Sequence, residues 1–144
     1  MKLVLSSLAA AAALALSATA FSQGMPRMAS PDGARAYIVS PADGEAVGET
    51  FVVRFGLSGM GVAPAGVDVA ETGHHHLLVD FEGLPAMDMP MPMSPQLLHF
   101  GKGQTETTLT LPKGEHTLQL VLGDKLHIPH EPPVISEKIT IVVE

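Results

Sequence analysis

Three consecutive histidines, His74-His75-His76, enter an apolar run, Leu77-Leu78-Val79, that ends at Asp80 and Phe81. Imidazole is the commonest metal ligand of proteins, and a triplet opening a strand puts two rings on one face of a sheet. The chemistry in prospect is therefore coordination of a cation. Period two divides the triplet: His75 shares a face with Leu77, Val79 and Phe81 and is expected to point into the core, whereas His74 and His76 are expected to point away from it. Alternate strand residues lie roughly 6.5–7 Å apart, so the two imidazoles of His74 and His76 can converge on one ion about 2 Å from each nitrogen. Asp80 lies too far along the strand for a first ligand. It is expected to act as an acceptor that orients a ring on a neighbouring strand.

Three further groups have the right chemistry. Met87, Met89, Met91 and Met93 alternate through Met87-Asp88-Met89-Pro90-Met91-Pro92-Met93, where the prolines forbid a helix. In a strand-like conformation all four sulfurs would face one way, and in a polyproline helix they would not. Thioether is a soft ligand that selects Cu(I). His127 and His130 stand three apart in the proline-stiffened Leu126-His127-Ile128-Pro129-His130-Glu131-Pro132-Pro133, where a turn can bring both rings to one point. His99 ends a short strand at Gly101-Lys102-Gly103, and His116, at the start of another strand, is expected to be structural. Each group also has a plainer role available: histidines hydrogen-bonded in place, and methionines covering an apolar groove or presenting an adaptable contact surface.

The elements that must position these residues are short and β-rich. Ala36 to Val39, Phe51 to Leu57, His75 to Phe81, Leu97 to Phe100, Thr105 to Leu111, Thr117 to Leu122 and Ile135 to Val143 are each bounded by Gly, Pro or Asp, and several alternate cleanly. Six to seven such strands predict an all-β domain, a single antiparallel sandwich of immunoglobulin-like or Greek-key type. Pro112-Lys113-Gly114-Glu115 reads as a hairpin connection with Gly114 at positive φ. Beyond the first residues no window carries a helical apolar stripe free of Gly or Pro.

Lys2, the apolar run Leu3 to Leu16 and Ala18-Thr19-Ala20 read as a signal peptide over residues 1–20. A leader is expected over 21–34 and the β-domain over 35–144. Export to the periplasm or beyond follows, and no segment has the roughly 20 apolar residues of a membrane span. The charge of −7, with no basic cluster and few aromatics, excludes nucleic acid as a partner and favours cations. With no cysteine, metal chemistry must use His, Met, Asp and Glu.

Gly59 to Gly66, Thr72 to Asp80, His99 to Glu106 and His127 to Val134 together resemble the domain of unknown function 4399 family, small exported bacterial proteins, over Ala36 to Val143. The resemblance implies that the triplet, His99 and the His127/His130 pair belong to one pattern and share a surface. It brings no activity with it, and the methionine run lies outside the pattern. The expected function is thus a non-enzymatic metal-binding protein of the periplasm. Its ligands are drawn from His74, His76, His99, His127, His130, Met87, Met89, Met91 and Met93. Copper is the expected ion with zinc as the alternative, and another envelope protein is a candidate partner. A metal-free envelope binding module is the competing expectation. A metal-dependent hydrolase, with Asp80, Glu71 or Glu131 as base, finds no supporting motif.

Overall fold

The computed structural model describes residues 24–144, so the expected signal peptide lies outside the described residues. Nine strands and no helix make up this part: β1 (Arg35–Ser40), β2 (Ala46–Val47), β3 (Thr50–Ser58), β4 (Gly61–Val62), β5 (Thr72–Val79), β6 (Leu97–His99), β7 (Glu106–Thr110), β8 (Gly114–Gly123) and β9 (Ile139–Val143). All seven expected strands are present, and two additional pairs of residues, β2 and β4, extend the larger sheet. No helix among the described residues is long and apolar enough to cross a membrane.

Two sheets face each other. The smaller is β1-β3-β7, antiparallel throughout; the larger runs β2-β9-β8-β5-β4, with β6 also pairing β5. The larger sheet is mixed rather than purely antiparallel, because the short β2 and β4 run parallel to β9 and β5. The expected hairpin at Pro112–Glu115 is not one. β7 pairs with β3 in one sheet while β8 pairs with β5 and β9 in the other, so this turn carries the chain across the sandwich. Gly114 does take a positive φ of 134°, as its position demanded.

Leu77, Val79, Leu118, Leu120, Leu122 and Ile141 of the larger sheet bury against Val53, Phe55 and Leu109 of the smaller. Period two places these on the inner face, and His75 goes with them, fully buried with its ring centroid 5.3 Å from that of Phe55. The outer face of β5 was expected to be open and is not. His74 and His76 are 0% and 1% exposed, because the loops around residues 87–93 and 124–130 fold over this face. Leu78, Met91, Leu97 and Val121 form a second, smaller core there. Phe81 joins that outer cluster instead of the inner face, since β5 ends at Val79 and Asp80, at φ 50°, breaks the alternation.

Candidate metal centre

The registers of β5 build the site. His76 lies directly opposite His99 on β6, and His74 stands two residues away on the same face. On the other side β8 supplies Gly123 opposite His74. A Cβ on Gly123 would stand 2.6 Å from His76 Cε1, so the absence of a side chain there is what admits the His76 ring. Gly101 does the same for His99, whose Cε1 and Nε2 would meet an added Cβ at 2.3 and 2.5 Å.

The fourth histidine comes from a loop. After β8 the chain turns at Asp124, which is almost fully buried. Its Oδ1 accepts hydrogen bonds from the backbone N–H of Leu126 at 2.8 Å and of Ile128 at 3.0 Å. Between those clamped residues His127 sits at φ 67°. This conformation is uncommon outside glycine, and the buried Ile128 and the Gly123–Pro129 bridge hold the loop in place around it. The His127 ring is thereby laid over β5, where Nδ1 and His74 Nε2 share a proton across 2.9 Å.

His74, His76, His99 and His127 thus each offer a nitrogen, all within 4.8 Å of one another. Their ring centroids are separated by 4.6 Å (His99–His127), 4.8 Å (His74–His76), 4.9 Å (His74–His127), 5.0 Å (His74–His99), 5.1 Å (His76–His99) and 6.0 Å (His76–His127). Four imidazoles arranged tetrahedrally around one ion, with bonds of about 2.0–2.1 Å, set their centroids about 5 Å apart. The observed spacing brackets that value.

Electrostatics prepare the same nitrogens. Burial, then the neighbouring imidazoles His127 and His99, lower the pKa of His74 to about 4 despite the opposing field of Asp124. Burial, followed by His74, His99 and His127, lowers that of His76 to about 3. His99 is lowered by the same two causes, burial and His127. All three are neutral at pH 7, the state in which imidazole binds metal. His74 Nδ1, both nitrogens of His76 and His99 Nε2 are buried without a hydrogen-bond partner. Each such group costs about 1–3 kcal/mol, a sum comparable to the net stability of a domain. A bound cation would satisfy one nitrogen of each ring and would be sheltered from water. The donor set therefore fits a metal ion.

The remaining expected ligands fall elsewhere or only partly here. His130 is separated from the cluster: its Nε2 donates to Thr72 O at 3.1 Å, and its ring lies over Gly73 on the inner face of β5. His127 and His130 do not share a point, because the buried Ile128 and Pro129 between them form part of the wall that separates the two faces. The four methionines do not share a face either, since the segment is neither strand nor regular helix. Met91 is buried and Met93 exposed, and both line a cavity of about 250 Å³ with His99 and His127. Met89 instead lines a separate apolar groove with Phe81, Leu84 and Pro85. Met87 lines neither. Asp80 does orient a ring on the neighbouring strand, but that ring is His116, bonded through Nδ1 to Oδ2 at 2.7 Å and through Nε2 to Pro112 O at 2.8 Å. Gly101, Gly123 and Asp124 were not singled out by the sequence. Their signal, a glycine or a turn-forming aspartate beside a histidine, is ordinary in any β-protein.

The segment read as a leader contributes to the same region. The backbone of Met25 bonds Asp88 O, while Met28 O and Ser30 N both bond Glu131. Arg27 reaches Pro129 O, His130 O and the Glu131 carboxylate. This stretch joins the methionine-bearing loop to the histidine-bearing one.

The chain is an all-β sandwich that carries a partly buried cluster of four imidazoles on the outer face of its larger sheet. The model of the domain of unknown function family DUF4399 matches residues 53–144, a span that contains all four histidines, and the chain belongs to that family. Neither a curated protein nor a solved structure gives a significant match.

Proposed function

We propose that this is an exported, non-catalytic protein of the periplasm that binds one copper ion through His74, His76, His99 and His127. The observation that carries the proposal is the convergence of four imidazoles at tetrahedral spacing, with buried nitrogens of His74, His76 and His99 left without hydrogen-bond partners. Export is supported by the signal-peptide pattern of residues 1–20. Copper is supported by the donor set: imidazole suits copper, and the thioethers of Met91 and Met93, which line one cavity with His99 and His127, are soft ligands that select Cu(I). A non-catalytic role is supported by the surroundings of the cluster. Asp124, the carboxylate whose charge acts on His74, is engaged in holding the loop.

The test is metal uptake by the chelator-stripped protein. One equivalent of copper is expected to bind per chain. At 100 times the dissociation constant it should add about 2.7 kcal/mol to stability. His99→Ala with His127→Ala, both at half-buried positions that leave the inner core intact, is expected to abolish uptake. Unchanged stoichiometry and affinity in this double variant would remove the site assignment. Absence of any metal-dependent stabilisation in the parent protein would remove the function and favour a metal-free envelope binding module.

A further inference from the structure

We propose that Met91 and Met93 form a graded soft-ligand port over the histidine cluster that selects a monovalent d¹⁰ cation, Cu(I) or its redox-inert analogue Ag(I). Met93 meets the ion at the surface, and within, Met91 takes one of the four positions on a Cu(I) or Ag(I) ion in place of one imidazole. This deepens, and rests on, the assignment of the cluster as a metal centre.

The two side chains sit at opposite depths of one passage. Met93 is 76% exposed and Met91 5% exposed, and both line the cavity whose other walls are His99 and His127. Met91 is tied to the site twice. Its backbone N–H donates to His127 O at 2.9 Å. Its Cε lies 3.1 Å from the point a Cβ on Gly123 would occupy, a point also 3.1 Å from His76 Nδ1. Pro90 and Pro92 flank Met91 and restrict the backbone, which turns Met91 inward while Met93 stays in solvent.

The chemistry of this arrangement discriminates between ions. A thioether is uncharged, does not titrate and is soft, so it adds little for Zn(II) but selects Cu(I). Tetrahedral imidazole spacing suits a d¹⁰ ion, which has no geometric preference of its own, better than Cu(II), which favours a tetragonal arrangement. With no cysteine in the chain, these sulfurs are the soft donors available at the site.

Met91 also packs with Leu78, Leu97 and Val121, so a purely structural role predicts that leucine replaces it without consequence. Met91→Leu conserves volume and costs less than about 1.5 kcal/mol, and Met93→Leu lies in solvent, so both variants fold. Binding of Cu(I), under anaerobic competition with a chromophoric chelator, and of Ag(I) and Zn(II) is measured for the parent protein and for Met91→Leu/Met93→Leu. Expected is a loss of about ten- to a hundredfold for Cu(I) and Ag(I), with Zn(II) affinity unchanged within about twofold. X-ray absorption of the Cu(I)-loaded parent should show a sulfur shell that the double variant lacks, and Met93→Leu alone should slow transfer of Cu(I) to the chelator. Equal Cu(I) and Ag(I) affinities in parent and double variant, or no sulfur shell, overturn the port while leaving the histidine centre standing. If the parent protein takes up none of these ions, the metal centre itself is what fails.

Discussion

Acid should unfold the metal-free protein through its buried histidines, at a pH where carboxylates are still ionised. His74 and His75 have pKa values near 4 and His76 near 3, all lowered first by burial, whereas in the unfolded chain each returns to 6.5. A group with a depressed folded pKa leaves stability intact above the unfolded value and removes it as pH falls toward the folded one. Between about pH 6 and pH 4.5 the unfolded chain therefore binds three more protons than the folded one. Each proton contributes about 1.4 kcal/mol per pH unit, so stability should fall by about 4 kcal/mol per unit in this window. By pH 4.5 the loss reaches about 8 kcal/mol as an upper figure, within the 5–15 kcal/mol that domains possess. The assay is urea denaturation in the presence of a chelator at pH 7.5, 6.5, 5.5 and 4.5. His75→Leu supplies the internal check. Both nitrogens of His75 are buried without partners against the apolar inner face, so this variant should lose about a third of the slope and no stability at pH 7.5. A slope below about 1 kcal/mol per pH unit, or a slope in His75→Leu equal to the parent's, would refute the reasoning.

Gly123→Ala should drive a methyl group into the His76 ring at 2.6 Å; a ten- to hundredfold loss of metal affinity in a titration is expected, with a backbone that is otherwise compatible with alanine. Asp124→Ala frees the N–H groups of Leu126 and Ile128 and should cost about 1–3 kcal/mol in denaturation midpoints while weakening metal binding through the untied His127 loop. His116 behaves oppositely to the buried cluster. Its hydrogen bond to Asp80, the largest cause, raises its pKa above 6.5, so the stability it supplies is present below that value and lost as pH rises through the folded one. Asp80→Asn should consequently destabilise more at pH 6 than at pH 9, and an NMR titration of His116 should show the raised value return toward 6.5.

Alternation alone was enough to locate the strands and to send His75 inward, because period two is a local property and the side chains of Leu77 and Val79 report it directly. It also put His74 and His76 on one face together. Whether that face was wet or buried depended on loops about 15 and 50 residues further along, which no local pattern describes. The same limit explains the turn at Gly114. Its positive φ was legible from the turn itself, but whether the turn joins neighbours or crosses between sheets depends on which strands β7 and β8 find, and those are distant.

Residue types and their local pattern carry the inventory: a β-domain without cysteine, an acidic charge that favours cations, and histidines and methionines as the available donors. Which of these donors meet depends on strand register and loop packing. The β5–β6 register set His99 beside His76, and the Asp124 clamp and the left-handed turn at His127 delivered the fourth ring. His130, three residues later, was sent to the other face, and Met91 was turned in while Met89 was turned away. Ligand identity is carried by single residues. Convergence on one point within about 5 Å is a relation among segments far apart in the chain, fixed by packing and long-range hydrogen bonds.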